Sequence, residues 1–454
     1  MIINNSHANR CAVFRKGRLR TFTVGGIHPD DNKLAAGSPL QTLPPEGTAT
    51  VFLDQHIGAP AAAVVSKGER VKTGQLIAKA GGFVSANIHA PVSGTVLAIE
   101  PAADIAGRRQ PAVVIRVEGD EWLETIDRSP DIVRELPTDS TVIIRKIADA
   151  GIVGLGGAAF PTHVKLSPPA GKKAEILIIN AAECEPFLTS DHRVMLEFGE
   201  QALIGALLLK KALHASKAFI GIESNKPDAI RRLQHIIQEN GYGLQVVRLK
   251  KRYPQGGEKQ LIDAVVRRQV PSMGLPVDVG VVIQNIGTAL AAYEAVQKNK
   301  PLIENSITVT GKSLPRQINV LARVGTPLSK LAALAGGVPG DTGKIVCGGP
   351  MMGKAVVNLE APTTKVTSAL LFIPFREARR KEASNCIRCA KCVKACPMGL
   401  EPYLLVKLAQ RGMHGELKAN RVYDCIECGC CLYSCPAYIP LLDYIRMGKL
   451  RVRG

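Results

Sequence analysis

Aromatic residues make up only 4% of the chain, with a single Trp. A protein this poor in aromatics lacks the stacking platforms on which single-stranded bases are held. No basic run is interleaved with aromatics either, so nucleic acid is not expected as a partner. Also missing is any run of about 20 apolar residues able to cross a bilayer. The nearest stretch, Val277 to Tyr293, is interrupted by Asp278, Gln284 and Asn285. Met1 to Arg20 mixes Asn, His, Arg and Lys with no apolar core followed by small residues, so no signal-peptide pattern is visible. The expected location is the cytoplasm or the cytoplasmic face of a membrane. Acidic residues are scarce, 39 against 58 Lys and Arg, which leaves a net charge of +19. Such an excess favours anionic partners such as lipid headgroups, an acidic protein or phosphorylated ligands.

What the chain does have is length and apolar content. Its 454 residues suggest about three domains, and 46% hydrophobic residues can fill several cores. Eight of the twelve cysteines fall in two runs near the C-terminus, Cys386, Cys389, Cys392 and Cys396, then Cys425, Cys428, Cys431 and Cys435. Each run reads C-x2-C-x2-C-x3-C-P, closed by Pro397 or Pro436. This is the spacing of proteins with two [4Fe-4S] clusters, in which the fourth cysteine of each run serves the other cluster. The expected sets are Cys386, Cys389, Cys392 and Cys435 for one cluster, and Cys425, Cys428, Cys431 and Cys396 for the other. Zinc would use two C-x2-C pairs, and disulfides are disfavoured in a cytosolic chain. Cys430 breaks no spacing and is expected to point away. Cys11, Cys184 and Cys347 are isolated and read as packed thiols. The tail Ile439 to Arg453 mixes apolar and basic residues and reads as a helix packed on the cluster domain.

Upstream, Gly58 to Glu100 holds short apolar stretches punctuated by Gly and Pro, the pattern of a small β-sandwich. It resembles the barrel-sandwich hybrid of biotinyl and lipoyl carriers, but Phe83 stands where those carriers place a modifiable Lys. A structural or docking role follows. From Thr141 the pattern becomes alternating: a helix to Ala150, a strand at Glu175 to Asn180, one long helix around His192 to His214, and a strand at Ala218 to Ile222. Next come a helix from Asp228 to Asn240, a strand at Leu244 to Leu249, a helix opening at Gly256, a strand at Val277 to Gln284 and a helix from Thr288 to Lys298. This predicts a three-layer α/β domain with a mainly parallel sheet, whose ligands sit at the carboxyl ends of the strands. Asn305 to Val357 resembles the soluble-ligand-binding β-grasp fold.

Four segments occupy ligand positions of such a sheet. The Gly-rich loop Gly154 to Thr162 lets backbone N–H groups approach a phosphate, with Lys165 nearby for charge. Alone it is a weak signal, because it follows a helix and fails the context of a dinucleotide fingerprint. Tyr253 to Lys259 opens a helix, where free N–H groups favour an anion. Asn180 to Pro186 and Gln284 to Thr288 each follow a strand.

In order, G-x-G-G-A-x-F-P-T-x-x-K, N-A-x-E-x-E-P and Y-x-x-G-x-E followed by Asn285 and Thr288 are similar to the flavin- and NADH-binding subunit of respiratory complex I. Adding Gly25-Gly26-Ile27-His28-Pro29, the sandwich, the β-grasp unit and the double cysteine run, nearly the whole chain resembles the RnfC family, a component of Rnf-type ion-translocating oxidoreductase complexes. The resemblance implies four units: 1–135 with the sandwich, 136–302 binding FMN and NADH, 303–366 as β-grasp, and 367–454 as a ferredoxin-type domain. It implies that Gly154, Gly156, Gly157 and Lys165 hold FMN and its phosphate side. Asn180 and Glu183 would contact the flavin, and Gly257, Glu258, Asn285 and Thr288 complete the site. Phe160, Glu185 and Tyr253 would line the nicotinamide pocket. Leu155, Ala182 and Gln284 depart from the complex I residues, which are Arg, Asp and Asn.

The implied function is a peripheral NADH-linked oxidoreductase component that passes electrons through FMN and two [4Fe-4S] clusters. No side chain is expected to act as catalytic acid or base. The implied partners are NADH, ferredoxin, and the membrane and ferredoxin-like subunits of the complex, which couple the electrons to ion movement. The alternatives are a soluble cobalamin reductase built from the same modules, in which the flavin domain precedes the sandwich, and a cluster-bearing nucleic-acid-binding protein.

Overall fold

The computed structural model describes residues 18–453; Cys11 and most of the Met1 to Arg20 segment lie outside them. The sandwich is wider than its glycine-rich centre suggested. A four-stranded antiparallel sheet orders Thr48–Phe52, Arg109–Val117, Gly94–Ala103 and Arg70–Val71. It faces a smaller antiparallel sheet of Ala62–Ala63, Leu76–Lys79 and Ile88–His89. Val51, Ile77, Ile88, Val96, Val113 and Ile115 fill the space between them. The outer strands Thr48–Phe52 and Arg109–Val117 place alternate residues in that core, a period-2 pattern outside the expected span.

The α/β domain has four parallel strands in the order Gln245–Leu249, Lys217–Glu223, Ile176–Ala181 and Val281–Asn285. Central strands buried on both faces are apolar throughout, as ILII at 176–179 is. One face packs on Gly199–Ala212 and Ile286–Gln297, the other on Glu258–Val266. A Cβ at Gly205 would run into the Ala289 carbonyl, so glycine there sets how closely the first two helices approach. The single long helix expected at 192–214 is two, Ser190–Glu197 and Gly199–Ala212, separated at Phe198, whose φ of −119° and ψ of 28° lie outside the helical region. The expected strand at 277–284 begins as a 3-10 turn, Pro276–Val279, and becomes strand at Val281–Asn285. Gly280 at φ 71° makes the join.

The region expected as a β-grasp unit contributes to a six-stranded mixed sheet in the order Leu40–Thr42, Ile318–Arg323, Glu304–Thr310, Ala369–Pro374, Thr342–Cys347 and Lys354–Ala355. Ala369–Pro374 pairs with both Glu304–Thr310 and Thr342–Cys347, so the sheet continues past the boundary expected at 366. The C-terminal unit is helical, with Pro402–Gln410, His414–Ala419 and Leu441–Arg453 around Leu405, Leu417, Leu441 and Ile445. The tail helix packs on this unit as its composition suggested. Among the described residues no helix is long and apolar enough to cross a membrane.

Candidate functional site: a strand-end cradle beside a thiol-lined cavity

At the carboxyl end of the parallel sheet the four segments singled out in the sequence converge. Asn285 caps the helix Ile286–Gln297 by accepting from the Gly287 and Thr288 N–H groups at 2.7 and 3.3 Å. The Leu155 N–H donates to the Thr288 hydroxyl at 2.9 Å, which fastens the Gly-rich loop to that helix start. Gly156 backs onto Asn285, where a Cβ would approach the Asn285 Cβ at 3.2 Å. Gly157, at φ 127°, has nothing within 4 Å of its missing side chain and leaves the loop open on that side. On the next strand the Asn180 amide donates to the Gly256 carbonyl at 2.9 Å. The Gly256 N–H in turn points at the Cys184 sulfur at 3.2 Å. Lys165 reaches Glu258 at 3.0 Å and the Ile283 carbonyl at 3.2 Å, joining the loop to the helix that Gly257 caps.

The carboxylates stand on a buried basic floor. Glu183, at φ 45°, accepts from the Asp191 N–H at 2.8 Å through one oxygen, while its other oxygen has no hydrogen-bond partner. Lys33 donates to the Glu183, Glu185 and Leu188 carbonyls at 2.8, 2.9 and 2.6 Å. Lys226 donates to the Ala182 carbonyl at 2.7 Å. Burial, reinforced by Lys226, brings the Lys33 ammonium down to about 8. Asp191, bonded to the Asn285 amide at 2.8 Å, is pushed up to about 7 by burial and by Glu183 beside it. Lys33, Lys226 and Asp191 were not legible as site residues. A lysine inside a protein is too rare to expect from sequence.

Buried polar atoms without hydrogen-bond partners lie on these segments: Glu183 Oε2, which has only Lys33 at 3.9 Å, the Thr162 hydroxyl, both amide atoms of Gln255 and the Gln284 nitrogen. Burying such groups unpaired is costly, so the site suits a polar ligand that supplies the partners. A glycine-lined loop, a helix start and unpaired donors and acceptors together fit a flavin with its phosphate.

Two residues expected at the nicotinamide pocket lie elsewhere. Tyr253 is only 1% exposed, and its hydroxyl donates to the Cys428 carbonyl at 2.9 Å. Glu185 is turned toward Gly349 and Met351, accepts from the Met351 N–H at 3.1 Å, and burial pushes it up to about 7. Tyr253 thus faces the cysteine-bearing unit, and Glu185 faces the Gly349–Met351 turn that precedes it. Phe160 stays at the loop, half-buried, its carbonyl accepting from the Gly154 N–H at 2.9 Å.

Beyond Tyr253 lies a cavity lined by Cys396, Cys425, Cys428 and Cys431, with Cys430 beside them and Leu400, Leu405 and Ile445 on its apolar wall. Cys396 comes from the first run and the other three from the second. Burial and the neighbouring sulfurs raise Cys396 and Cys431, and burial raises Cys425 to about 11. Thiols held this way ionise when a cationic centre compensates them, releasing protons as metal enters. Cys392 lies near Cys435, whereas Cys386 and Cys389 are exposed. Among the described residues no three His, Cys, Asp or Glu side chains converge on a single metal ion. The four thiols instead surround a void, which fits a polynuclear cluster. Cys430 is fully buried, and its sulfur points at the Tyr253 carbonyl at 3.9 Å.

The sandwich meets the site from the other side. The Phe83 carbonyl lies 3.1 Å from the His163 ring nitrogen, and the two rings sit edge to face at 6.1 Å. The Ile57 N–H donates to Ala159 in the Gly-rich loop at 3.2 Å. Phe83 itself is 67% exposed.

Family models match in three places. Residues 147–294 match the Nuo51 FMN-binding domain, 21–120 the RnfC barrel sandwich hybrid domain, and 378–436 a 4Fe-4S dicluster domain. The chain is 44% identical to the RnfC-type subunit of the proton-translocating ferredoxin:NAD(+) oxidoreductase complex of Clostridium ljungdahlii, over 88% of this chain and 87% of that one. It is 41% identical to the same subunit of the Na(+)-translocating ferredoxin:NAD(+) oxidoreductase complex of Acetobacterium woodii, over 94% and 96%. It is also 41% identical to its counterpart in the ion-translocating oxidoreductase complex of Pseudomonas aeruginosa, over 96% of this chain and 56% of that one. With an FMN-binding domain, a 4Fe-4S dicluster domain and this degree of identity, the chain belongs to the RnfC family of ion-translocating oxidoreductase complexes.

Proposed function

We propose that the chain is the peripheral electron-input subunit of a membrane Rnf-type complex. It passes electrons between NADH and ferredoxin or the membrane subunits, and its partners couple that flow to ion translocation. The observation that carries this reading is adjacency: residues beside the strand-end cradle reach the cysteine-lined cavity directly, Tyr253 through the Cys428 carbonyl and Gln260 through the Pro397 carbonyl. FMN held there would supply the conversion such an input requires, between a hydride carrying two electrons from NADH and the single electrons that [4Fe-4S] clusters take.

In this reading Gly156 and Gly157 present backbone N–H groups to the phosphate side, Gly154, whose own N–H is held by the Phe160 carbonyl, shapes the loop that carries them, and Lys165 supplies positive charge. Asn180 and Glu183 border the ring, and Gly257, Glu258, Asn285 and Thr288 close the site. The floor of Lys33 and Lys226 holds positive charge under the carboxylate loop, which favours an electron-rich ligand above it. Cys396, Cys425, Cys428 and Cys431 would hold one cluster, and Cys386, Cys389, Cys392 and Cys435 the other. The chain divides as 1–135, 136–302, a soluble-ligand-binding β-grasp unit from 303 that takes in the strand ending at Pro374, and the cluster unit to 454.

The test is to reconstitute the full chain anaerobically with FMN, iron and sulfide and add NADH. Bleaching of both flavin and cluster absorbance is expected. A spectrum that NADH leaves unchanged would refute the reading.

A further inference from the structure

Several side chains cross the seam between the flavin domain and the cluster unit: Gln260 donates to the Pro397 carbonyl at 3.2 Å and Ser272 to the Asp424 carboxylate at 2.6 Å, and Tyr253 bonds to the backbone of a candidate ligand cysteine of the second run. Tyr253 gives its hydroxyl to the carbonyl of Cys428 at 2.9 Å. Its own carbonyl is approached by the Cys430 sulfur at 3.9 Å and accepts from the Ile27 N–H at 2.8 Å. The Tyr253 N–H returns to the Ile27 carbonyl at 2.9 Å. Beside it the Gly26 N–H donates to Ala395 at 2.9 Å, and Gly25, at φ 68°, lies so close that any Cβ would enter the Cys396 carbonyl. The segment Gly25 to Pro29 is therefore threaded between the turn at Tyr253 and the turn at Cys396. Ile27, Tyr253, Ala395, Cys428 and Cys430 form a small apolar core of their own, with Cys184 and Met351 packed against it. Three residues along the chain from Tyr253, Gly256 receives the Asn180 amide at the cradle.

We infer that Tyr253 is a positioning residue, which with Cys430 and the Gly25 to Pro29 segment fixes the Cys396, Cys425, Cys428 and Cys431 set against the flavin cradle. That set is then the one nearer the flavin, and the set containing the exposed Cys386 and Cys389 is the outer one. The inference rests on the proposed function. Its physical basis is that a buried hydroxyl and a buried carbonyl satisfying each other hold two domains in a single register, and losing one partner leaves the other unpaired.

The test uses the reconstituted full chain carrying Y253F, which keeps the ring and removes the hydroxyl. Iron, sulfide and flavin contents are measured first, then EPR spectra of the reduced clusters, then flavin reduction and cluster reduction after mixing with NADH. The expected result is a changed EPR signature for one cluster and an unchanged signature for the other. Flavin reduction keeps its rate, while cluster reduction slows several-fold. Loss of one cluster's iron with flavin retained supports the inference equally. G25A, which presses on the Cys396 carbonyl from the opposite side, should perturb the same signal. Unaltered signatures and unaltered transfer in both variants overturn it, as does an equal change in both clusters. A wild-type protein that NADH cannot reduce would instead sink the proposed function.

Discussion

The two cysteine runs have the same spacing and opposite surroundings. Cys425, Cys428 and Cys431 of the second run, with Cys396, line a cavity walled by leucines, and Cys428 touches the flavin domain through Tyr253. The first opens with Cys386 and Cys389 on the surface, flanked by Ile387 at 68% exposure and by the basic Arg388 and Lys391. Identical ligand chemistry is thus offered one dry, enclosed environment and one wet, charged environment. Solvent exposure and nearby charge are among the main determinants of cluster potential, so the two centres should differ in potential although their ligands do not.

The largest effect expected comes from cutting each run in turn. C428S should leave the outer cluster present but not reducible by NADH, because the link to the flavin is gone. C386S should leave the inner cluster reducible. EPR after NADH addition separates these outcomes, and equal loss in both variants would break the comparison. Next in size is G25A, whose Cβ has no room beside the Cys396 carbonyl and whose backbone sits at φ 68°. Overpacking and the left-handed conformation together cost about 3 kcal/mol. Calorimetry should show a lowered Tm, together with iron loss at the inner site.

A smaller effect is pH-dependent. Burial raises Glu185 from 4.5 to about 7, so the folded protein takes up this proton at a higher pH than the unfolded chain. Stability from this group is therefore present below about pH 4.5 and is lost as pH rises toward 7, by up to about 3 kcal/mol. E185Q should melt higher than wild type at pH 8 and close to it at pH 5. An equal difference at both values would mean that Glu185 is ionised throughout. The smallest effect is expected far from both runs. F83A removes an exposed side chain with one edge contact to His163, so it should cost less than about 1 kcal/mol and leave iron content unchanged.

Legibility in the sequence followed the range of the interactions. Glycine loops and strand-end motifs are local, and Gly156, Lys165, Asn180, Gly256, Glu258, Asn285 and Thr288 do come together at the sheet's carboxyl edge, whereas Tyr253 and Glu185 from the same motifs turn away from it. The division of helix at Phe198 depends on how two helices pack, and the strand Ala369–Pro374 pairs with Glu304–Thr310, about sixty residues earlier, so neither left a local mark. Motif matching placed Tyr253 near the cradle, which is true of its backbone neighbour Gly256. It could not show that the ring turns the other way, because that depends on Cys428, 175 residues distant. Lys33 was hidden for the same reason: its three carbonyl partners lie about 150 residues on, and nothing around a surface-like D-D-N-K marks it as buried.

The order of the two centres is tested most directly by freezing the reconstituted protein at successive times after mixing with NADH and recording EPR spectra. The signal that C386S retains should grow first, followed by the signal missing from C386S. If the C386S-sensitive signal grows first, electrons enter through the exposed run and the account of the seam is wrong.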